Sequence, residues 1–87
     1  IRDAIHVVVQ RELDRAIAKY PDWPDNYVTA SAIVAEEAGE LLQSALDVGW
    51  HGIKEREGNM VEEAIQTAAM AIRFLEEYYW KEYDKEK

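Results

Sequence analysis

The chain has 87 residues, a length typical of one small domain, and its 18 acidic side chains outnumber 10 Lys and Arg to give a formal net charge of −8. This charge disfavours binding to a nucleic-acid polymer or to an anionic membrane, because both need a basic face. The absence of cysteine excludes disulfides and thiolate metal ligands and fits a cytoplasmic location. No run of about 18 uncharged apolar residues is present, so no transmembrane helix is expected.

A first amphipathic helix is predicted from about Asp3 to Tyr20. Its apolar side chains recur at spacings of three and four residues, the period of a helix with one buried face: Ile5, Val8, Val9, Leu13, Ala16 and Ile17. The two prolines of the chain, Pro21 and Pro24, follow at once. Because each proline biases the preceding residue away from the helical conformation, the sequence predicts an extended turn here.

A second helix is predicted from about Asn26 to Val48, with Asn26 or Thr29 as the N-cap. This helix contains Gly39, although glycine in a helix interior costs about 1 kcal/mol relative to alanine. We therefore expect another backbone or a ligand to approach closely at Gly39.

Three glutamates of the second helix differ in their position on the helical wheel. Glu37 falls inside the apolar arc, between Ile33 and Leu41, and Glu40 lies beside Ile33, whereas Glu36 points further toward solvent. A charge at the edge of a core is unfavourable unless it is paired or bound to a cation. Glu37 and Glu40 are therefore the first candidates for a functional site.

A third helix is predicted from about Asn59 to Tyr83, after a loop at residues 49–58, and the charged tail at residues 81–87 is expected to fray. This helix is apolar almost all round, except for a polar stripe that consists of Glu62, Gln66, Arg73 and Glu77, with Glu63 on its flank. Two other helices from so short a chain cannot cover such a surface, so a second subunit is predicted.

The expected fold is all-α, because no alternating strand pattern occurs in the sequence. It consists of a single helical domain, residues 1–87, with three main helices. We expect this domain to form a homodimer or a dimer of dimers, in which helices of both subunits share a four-helix-bundle-like core.

The acidic residues of the second and third helices predict a site for a hard divalent cation. Glutamates at positions i and i+3 lie on one face of a helix, and Mg²⁺ prefers oxygen ligands. The predicted site places Glu37 and Glu40 opposite Glu63 and Gln66, with Mn²⁺ able to replace Mg²⁺. The alternative is that each pair belongs to an ordinary solvated helix surface.

These two motifs, Glu36-Glu37-Ala38-Gly39-Glu40 and Glu62-Glu63-Ala64-Ile65-Gln66, resemble those of the MazG-like all-α nucleoside triphosphate pyrophosphohydrolases. That family carries Glu-x-x-Glu on one helix and Glu-x-x-Asp on the next, and these four groups hold Mg²⁺. Glu37 and Glu40 match the first motif, and Glu63 matches the first position of the second. The resemblance covers the chain from about Trp23 to Leu75.

The resemblance implies Mg²⁺-dependent hydrolysis of a nucleoside triphosphate to the monophosphate and pyrophosphate, acting on non-standard or surplus nucleotides. It implies that Glu37, Glu40 and Glu63 are metal ligands and that Glu36 or Glu40 is the general base.

Gln66 departs from this pattern, because it stands where the family usually has Asp. Its amide oxygen can still bind a metal or a metal-bound water, but one negative charge is lost, so weaker Mg²⁺ binding is expected unless Glu62 compensates. The alternative function is a non-catalytic helical oligomer or nucleotide-binding module that has lost the acid of the second motif.

Positive charge for the phosphates is expected from Lys54 and Arg56, in the loop between the acidic helices, and from Arg73. The alternative for Lys54 and Arg56 is that they belong to a solvated loop without a binding role. The alternative for Arg73 is an ion pair with Glu77 at i+4. Three aromatic residues near the second helix could stack on a base or could instead fill the core: Trp23, Tyr27 and Trp50.

Overall fold

A computed structural model describes the backbone of residues 1–83 and the side chains of residues 1–79. Its elements are α1 (Arg2–Lys19), α2 (Tyr27–Gly49), a short 3-10 helix (Lys54–Arg56) and α3 (Glu57–Tyr83). Residues 1–83 contain no strand, so the predicted all-α class with three main helices is confirmed. The helix α3 includes residues 81–83 of the tail that was expected to fray, and residues 84–87 lie outside the described part of the chain.

The helix α3 is the central element, because it packs against both α1 and α2. The best buried apolar residues of α1, Val9 and Leu13, meet Ala69 of α3, and partly buried residues of α3 surround this contact: Ile65, Ala68 and Met70. The faces that meet are those with the three- and four-residue apolar spacing, so the amphipathic pattern determines which side of α1 is buried.

The N-terminus of α2 is capped by Asn26, whose Oδ1 accepts a hydrogen bond of 2.8 Å from the backbone N–H of Thr29. Asn26, and not Thr29, is therefore the N-cap. Gly39 is exposed, and a Cβ atom placed on it would meet no atom within 4 Å outside its own helix backbone and neighbours. No other part of the described chain therefore approaches Gly39 closely, and the approach of a ligand or of another subunit's backbone stays a prediction.

The linker between α1 and α2 is held by the C-terminal half of α3. Arg73 Nη2 donates hydrogen bonds to the carbonyl oxygens of Tyr20, at 2.7 Å, and Pro21, at 3.3 Å. The hydroxyl of Tyr78 donates to the carbonyl oxygen of Pro24 at 2.8 Å. Proline-rich segments leave carbonyl oxygens without helical partners, and the two side chains satisfy three of them.

The structure changes the role expected for Arg73, which the sequence analysis placed on the polar stripe of the third helix and considered for phosphate binding. Only 8% of its surface is exposed. Its guanidinium also lies over the Trp23 ring, 4.9 Å from the ring centroid. The role of Arg73 is therefore to anchor the linker.

The core of the described chain is small, and none of its large side chains is less than 2% exposed. Several apolar side chains of α3 remain open to solvent, among them Val61, Ile72 and Leu75, which are 54%, 36% and 52% exposed. The apolar circumference predicted for this helix is therefore only partly covered by α1 and α2.

Candidate metal centre

Three of the four predicted ligands meet between α2 and α3. One carboxylate oxygen from each of Glu37, Glu40 and Glu63 lies within 4.8 Å of the other two. Glu37 and Glu40 share one face of α2 because they are three residues apart, and Glu63 faces them from the second turn of α3 because these helices pack together. The arrangement gives three hard oxygen ligands around one point, which suits Mg²⁺ or Mn²⁺.

We call Glu37, Glu40 and Glu63 the acidic triad. Two of these residues, Glu37 and Glu63, have a carboxylate oxygen that is buried away from water. Glu37 and Glu63 are half-buried, and the Oε2 atom of each is buried without a hydrogen-bond partner among the described residues. A buried polar atom left without a partner costs about 1–3 kcal/mol, and more when it is charged. A cation bound between these side chains would offset the cost of burying the two carboxylates.

The electrostatics of the triad also favour a cation. Desolvation raises the pKa of Glu37, and the negative charges of Glu40, Glu12 and Glu36 raise it further. Desolvation likewise raises the pKa of Glu63, together with a hydrogen bond to Glu40 and the charges of Glu40, Glu37 and Glu62. Burial out of water is the larger cause of both pKa shifts, and repulsion between neighbouring carboxylates adds to it. A divalent cation would offset both effects.

The other two residues proposed for the centre lie beside it. Glu36 is exposed, and its charge contributes to the raised pKa of Glu37. Gln66 is half-buried and lines, together with Glu37, a cavity of about 240 Å³ on the side facing α1. The amide of Gln66 is therefore placed next to the triad rather than on the outer surface of α3.

The loop cations and the aromatic residues considered for substrate binding do not gather around the acidic triad. Lys54 and Arg56 lie in the 3-10 helix with exposed side chains, and neither lines the cavity at Glu37. Trp50 is 83% exposed, so it does not fill the core. Trp23 is half-buried, with one ring face under the guanidinium of Arg73. Tyr27 is 60% exposed and meets the Tyr78 ring edge-on at 4.8 Å.

Sequence reasoning missed the contribution of α1. Glu12, Arg15 and Lys19 line the same cavity as Glu37 and Gln66. Their spacing of three and four residues, beside the buried Leu13 and Ala16, was a signal that all three border the apolar face of α1.

Comparisons of the chain with protein-family models, with curated proteins and with solved structures gave no match. The family resemblance therefore continues to depend on the two acidic motifs and the arrangement of their helices. Within the described residues, none of the helices combines the length and the apolar character needed to cross a bilayer.

Proposed function

We propose that this protein is a Mg²⁺-dependent nucleoside triphosphate pyrophosphohydrolase of the MazG-like type, acting on non-standard or surplus nucleotides. The observation that carries the proposal is the meeting of Glu37, Glu40 and Glu63 from two helices, where two buried carboxylate oxygens have no hydrogen-bond partner in the described part of the chain. Carboxylates in such a position are unfavourable for the protein alone, and a cation-dependent function accounts for them.

The reaction adds one water molecule to a nucleoside triphosphate and breaks a P–O bond of the bridge between the α- and β-phosphates, so that the monophosphate and pyrophosphate leave. A bound Mg²⁺ would supply neutralisation of the phosphate oxygens and a lowered pKa for the attacking water. Glu37 and Glu63 would hold the ion, each through a carboxylate oxygen. Glu40 or Glu36 would accept the proton of the water, since both side chains are exposed and can pass it on to solvent.

The test is the release of pyrophosphate from a panel of canonical and modified nucleoside triphosphates, with and without Mg²⁺. We expect turnover that requires the ion and is lost in Glu37→Gln and Glu63→Gln. Glu76→Gln is the matched control, because Glu76 is an exposed glutamate of the same helix α3 outside the triad. Equal turnover by all four proteins, or turnover without a divalent cation, would contradict the proposal.

We also propose that the protein is a homodimer or a dimer of dimers with a shared four-helix core. The support is an apolar groove of about 460 Å³ between α2 and α3, which is lined by Ser31, Val34, Ala35, Ala38, Ala71, Phe74 and Leu75. Light scattering should give at least twice the monomer mass at micromolar concentration, and Leu75→Asp should disrupt the assembly.

The alternative function, a non-catalytic helical oligomer or nucleotide-binding module, shares this assembly with the proposed enzyme. The two differ in the panel assay. An oligomer that neither binds Mg²⁺ nor releases pyrophosphate from any triphosphate would favour the alternative.

A further inference from the structure

The cavity beside Glu37 of the acidic triad is lined by side chains of both charges. Glu37 of α2 and Gln66 of α3 line it, and α1 contributes the two cations Arg15 and Lys19. The remaining lining is Glu12, Ala16, Tyr20, Ile33 and Met70. The volume, about 240 Å³, is below the range of about 300–1,000 Å³ that is usual for pockets holding a whole small ligand. The cavity is therefore suited to one part of a nucleotide.

Arg15 lines this cavity, and its guanidinium is held in one orientation by Glu12. Its Nε and Nη2 donate hydrogen bonds of 3.0 and 2.7 Å to the two carboxylate oxygens of Glu12. This two-point contact fixes the plane of the guanidinium, while 59% of the side chain stays exposed. A guanidinium has five N–H donors in a fork that matches the oxygens of a phosphate, so donors remain for a second anion.

Lys19 indicates which part of the nucleotide fits. Its Nζ lies over the Tyr20 ring, 5.4 Å from the ring centroid, and so covers one face of an aromatic ring that lines the cavity. A base would compete with this cation for that face, whereas a phosphate would be attracted by it. The two cations therefore favour the anionic end of the ligand.

The negative charge of the whole chain favours a role for such cations. A triphosphate approaching a protein of net charge −8, at a site built from carboxylates, meets repulsion that a single divalent ion does not fully remove. Cations beside the metal centre would lower this barrier, and Lys54 and Arg56 do not line the cavity.

We propose that Arg15 and Lys19 of α1 bind the polyphosphate tail of the substrate beside the acidic triad, with Glu12 as the positioning residue for Arg15. This inference rests on the proposed function, which it extends by assigning the phosphate-binding wall to α1 instead of to the loop around the 3-10 helix.

The test measures binding of inorganic tripolyphosphate in the presence of Mg²⁺ by calorimetry, so that no base takes part. We expect Arg15→Gln and Lys19→Gln each to weaken binding about tenfold or more, as for the loss of a hydrogen bond to a charged group. Arg15→Lys should recover part of the loss, because it keeps the charge but not the fork. Lys54→Gln and Arg56→Gln are matched controls with exposed cations, and they should bind like the wild type.

A double variant, Glu12→Gln/Arg15→Gln, removes the ion pair as a unit and leaves no unpaired carboxylate beside Glu37. It should unfold like the wild type and bind tripolyphosphate as weakly as Arg15→Gln. Unchanged binding in the α1 variants, or no tripolyphosphate binding by the wild type, would overturn the inference.

The two proposals fail in different ways. If the wild type releases pyrophosphate from nucleotides while Arg15→Gln and Lys19→Gln leave its KM unchanged, the inference is wrong and the proposed function stands. If no triphosphate is hydrolysed but tripolyphosphate binding still depends on Arg15, the α1 wall is an anion site and the proposed reaction is wrong.

Discussion

The two halves of α3 treat buried polar groups in opposite ways. Near its C-terminal end, Arg73 is buried and hydrogen-bonds two linker carbonyls, and the hydroxyl of Tyr78 bonds a third. Ten residues earlier, about 15 Å along the helix, Glu63 has a buried carboxylate oxygen without a hydrogen-bond partner among the described residues, and it faces the charges of Glu37 and Glu40. Satisfied buried groups indicate a structural role, and unsatisfied ones of like charge indicate a missing ligand.

The largest effect on stability is expected in the C-terminal half of α3, where the buried polar groups are hydrogen-bonded. Arg73→Met leaves the carbonyl oxygens of Tyr20 and Pro21 without their donor and should lower the free energy of unfolding by about 3 kcal/mol. Urea denaturation measures the change. Arg56→Met is the control and should stay within about 0.5 kcal/mol of the wild type, because Arg56 is exposed. A small effect of Arg73→Met would mean that the linker does not depend on this anchor.

A second change tests the N-terminal half of α3, where the buried carboxylate oxygen has no partner among the described residues. Gln66→Asp or Gln66→Glu introduces an acid beside Glu37 and should tighten Mg²⁺ binding about tenfold, which corresponds to about 1.4 kcal/mol. Asp is shorter than Gln, so the Glu variant separates the effect of charge from that of reach. If both acids leave the Mg²⁺ affinity and the ion requirement of turnover unchanged, Gln66 does not contribute to the centre.

A smaller effect is expected at Tyr78. Tyr78→Phe removes the hydrogen bond to the carbonyl oxygen of Pro24 but keeps the ring, which packs against Phe74 at 4.7 Å. The free energy of unfolding should fall by about 1 kcal/mol. Mg²⁺ binding should not change, because the acidic triad and this anchor lie at different ends of α3. A change in Mg²⁺ affinity would show that the two halves are coupled.

The smallest expected effect is the pH dependence of the metal-free protein. The pKa values of Glu37 and Glu63 are raised in the folded state, so that state binds protons more tightly than the unfolded chain. The stability from this source is fully present below the ordinary value of 4.5 and is lost as pH rises through the raised values. Denaturation with a chelator at several pH values should show this decline, and Glu63→Gln should make it shallower. If the stability of both Glu63→Gln and the wild type instead rises as pH increases above 4.5, the expected pH dependence is contradicted.

The helices and the triad were predictable because their signals are local. Apolar spacing of three and four residues, together with the prolines, the glycine-containing loop and the cap residue, gave helix boundaries within two residues of those observed. The position of Glu37 inside an apolar arc, three residues from Glu40, indicated a shared face. To predict that Glu63 faces these two residues, only one further assumption was needed, namely that α2 and α3 pack together.

The remaining features depend on contacts between residues far apart in sequence. Arg73 bonds residues 53 and 52 positions earlier, and no local pattern indicates that an arginine on a polar stripe will be buried by a linker. The cavity residues of α1 come near Glu37 only through the packing of α1 on α3. Gly39 has neither a close neighbour within the described chain nor a positive φ, so the structure does not explain it.

The central claim is that the triad of Glu37, Glu40 and Glu63 is completed by a divalent cation, and its most direct test is the unfolding free energy with and without Mg²⁺. At a concentration one hundred times the Kd, Mg²⁺ should stabilise the wild type and Glu76→Gln by about 2.7 kcal/mol. Glu63→Gln should show no such gain, while its metal-free stability equals or exceeds that of the wild type. If Mg²⁺ does not stabilise the wild type, and metal-free Glu63→Gln is less stable by several kcal/mol, Glu63 is a structural ion-pair partner and the account is contradicted.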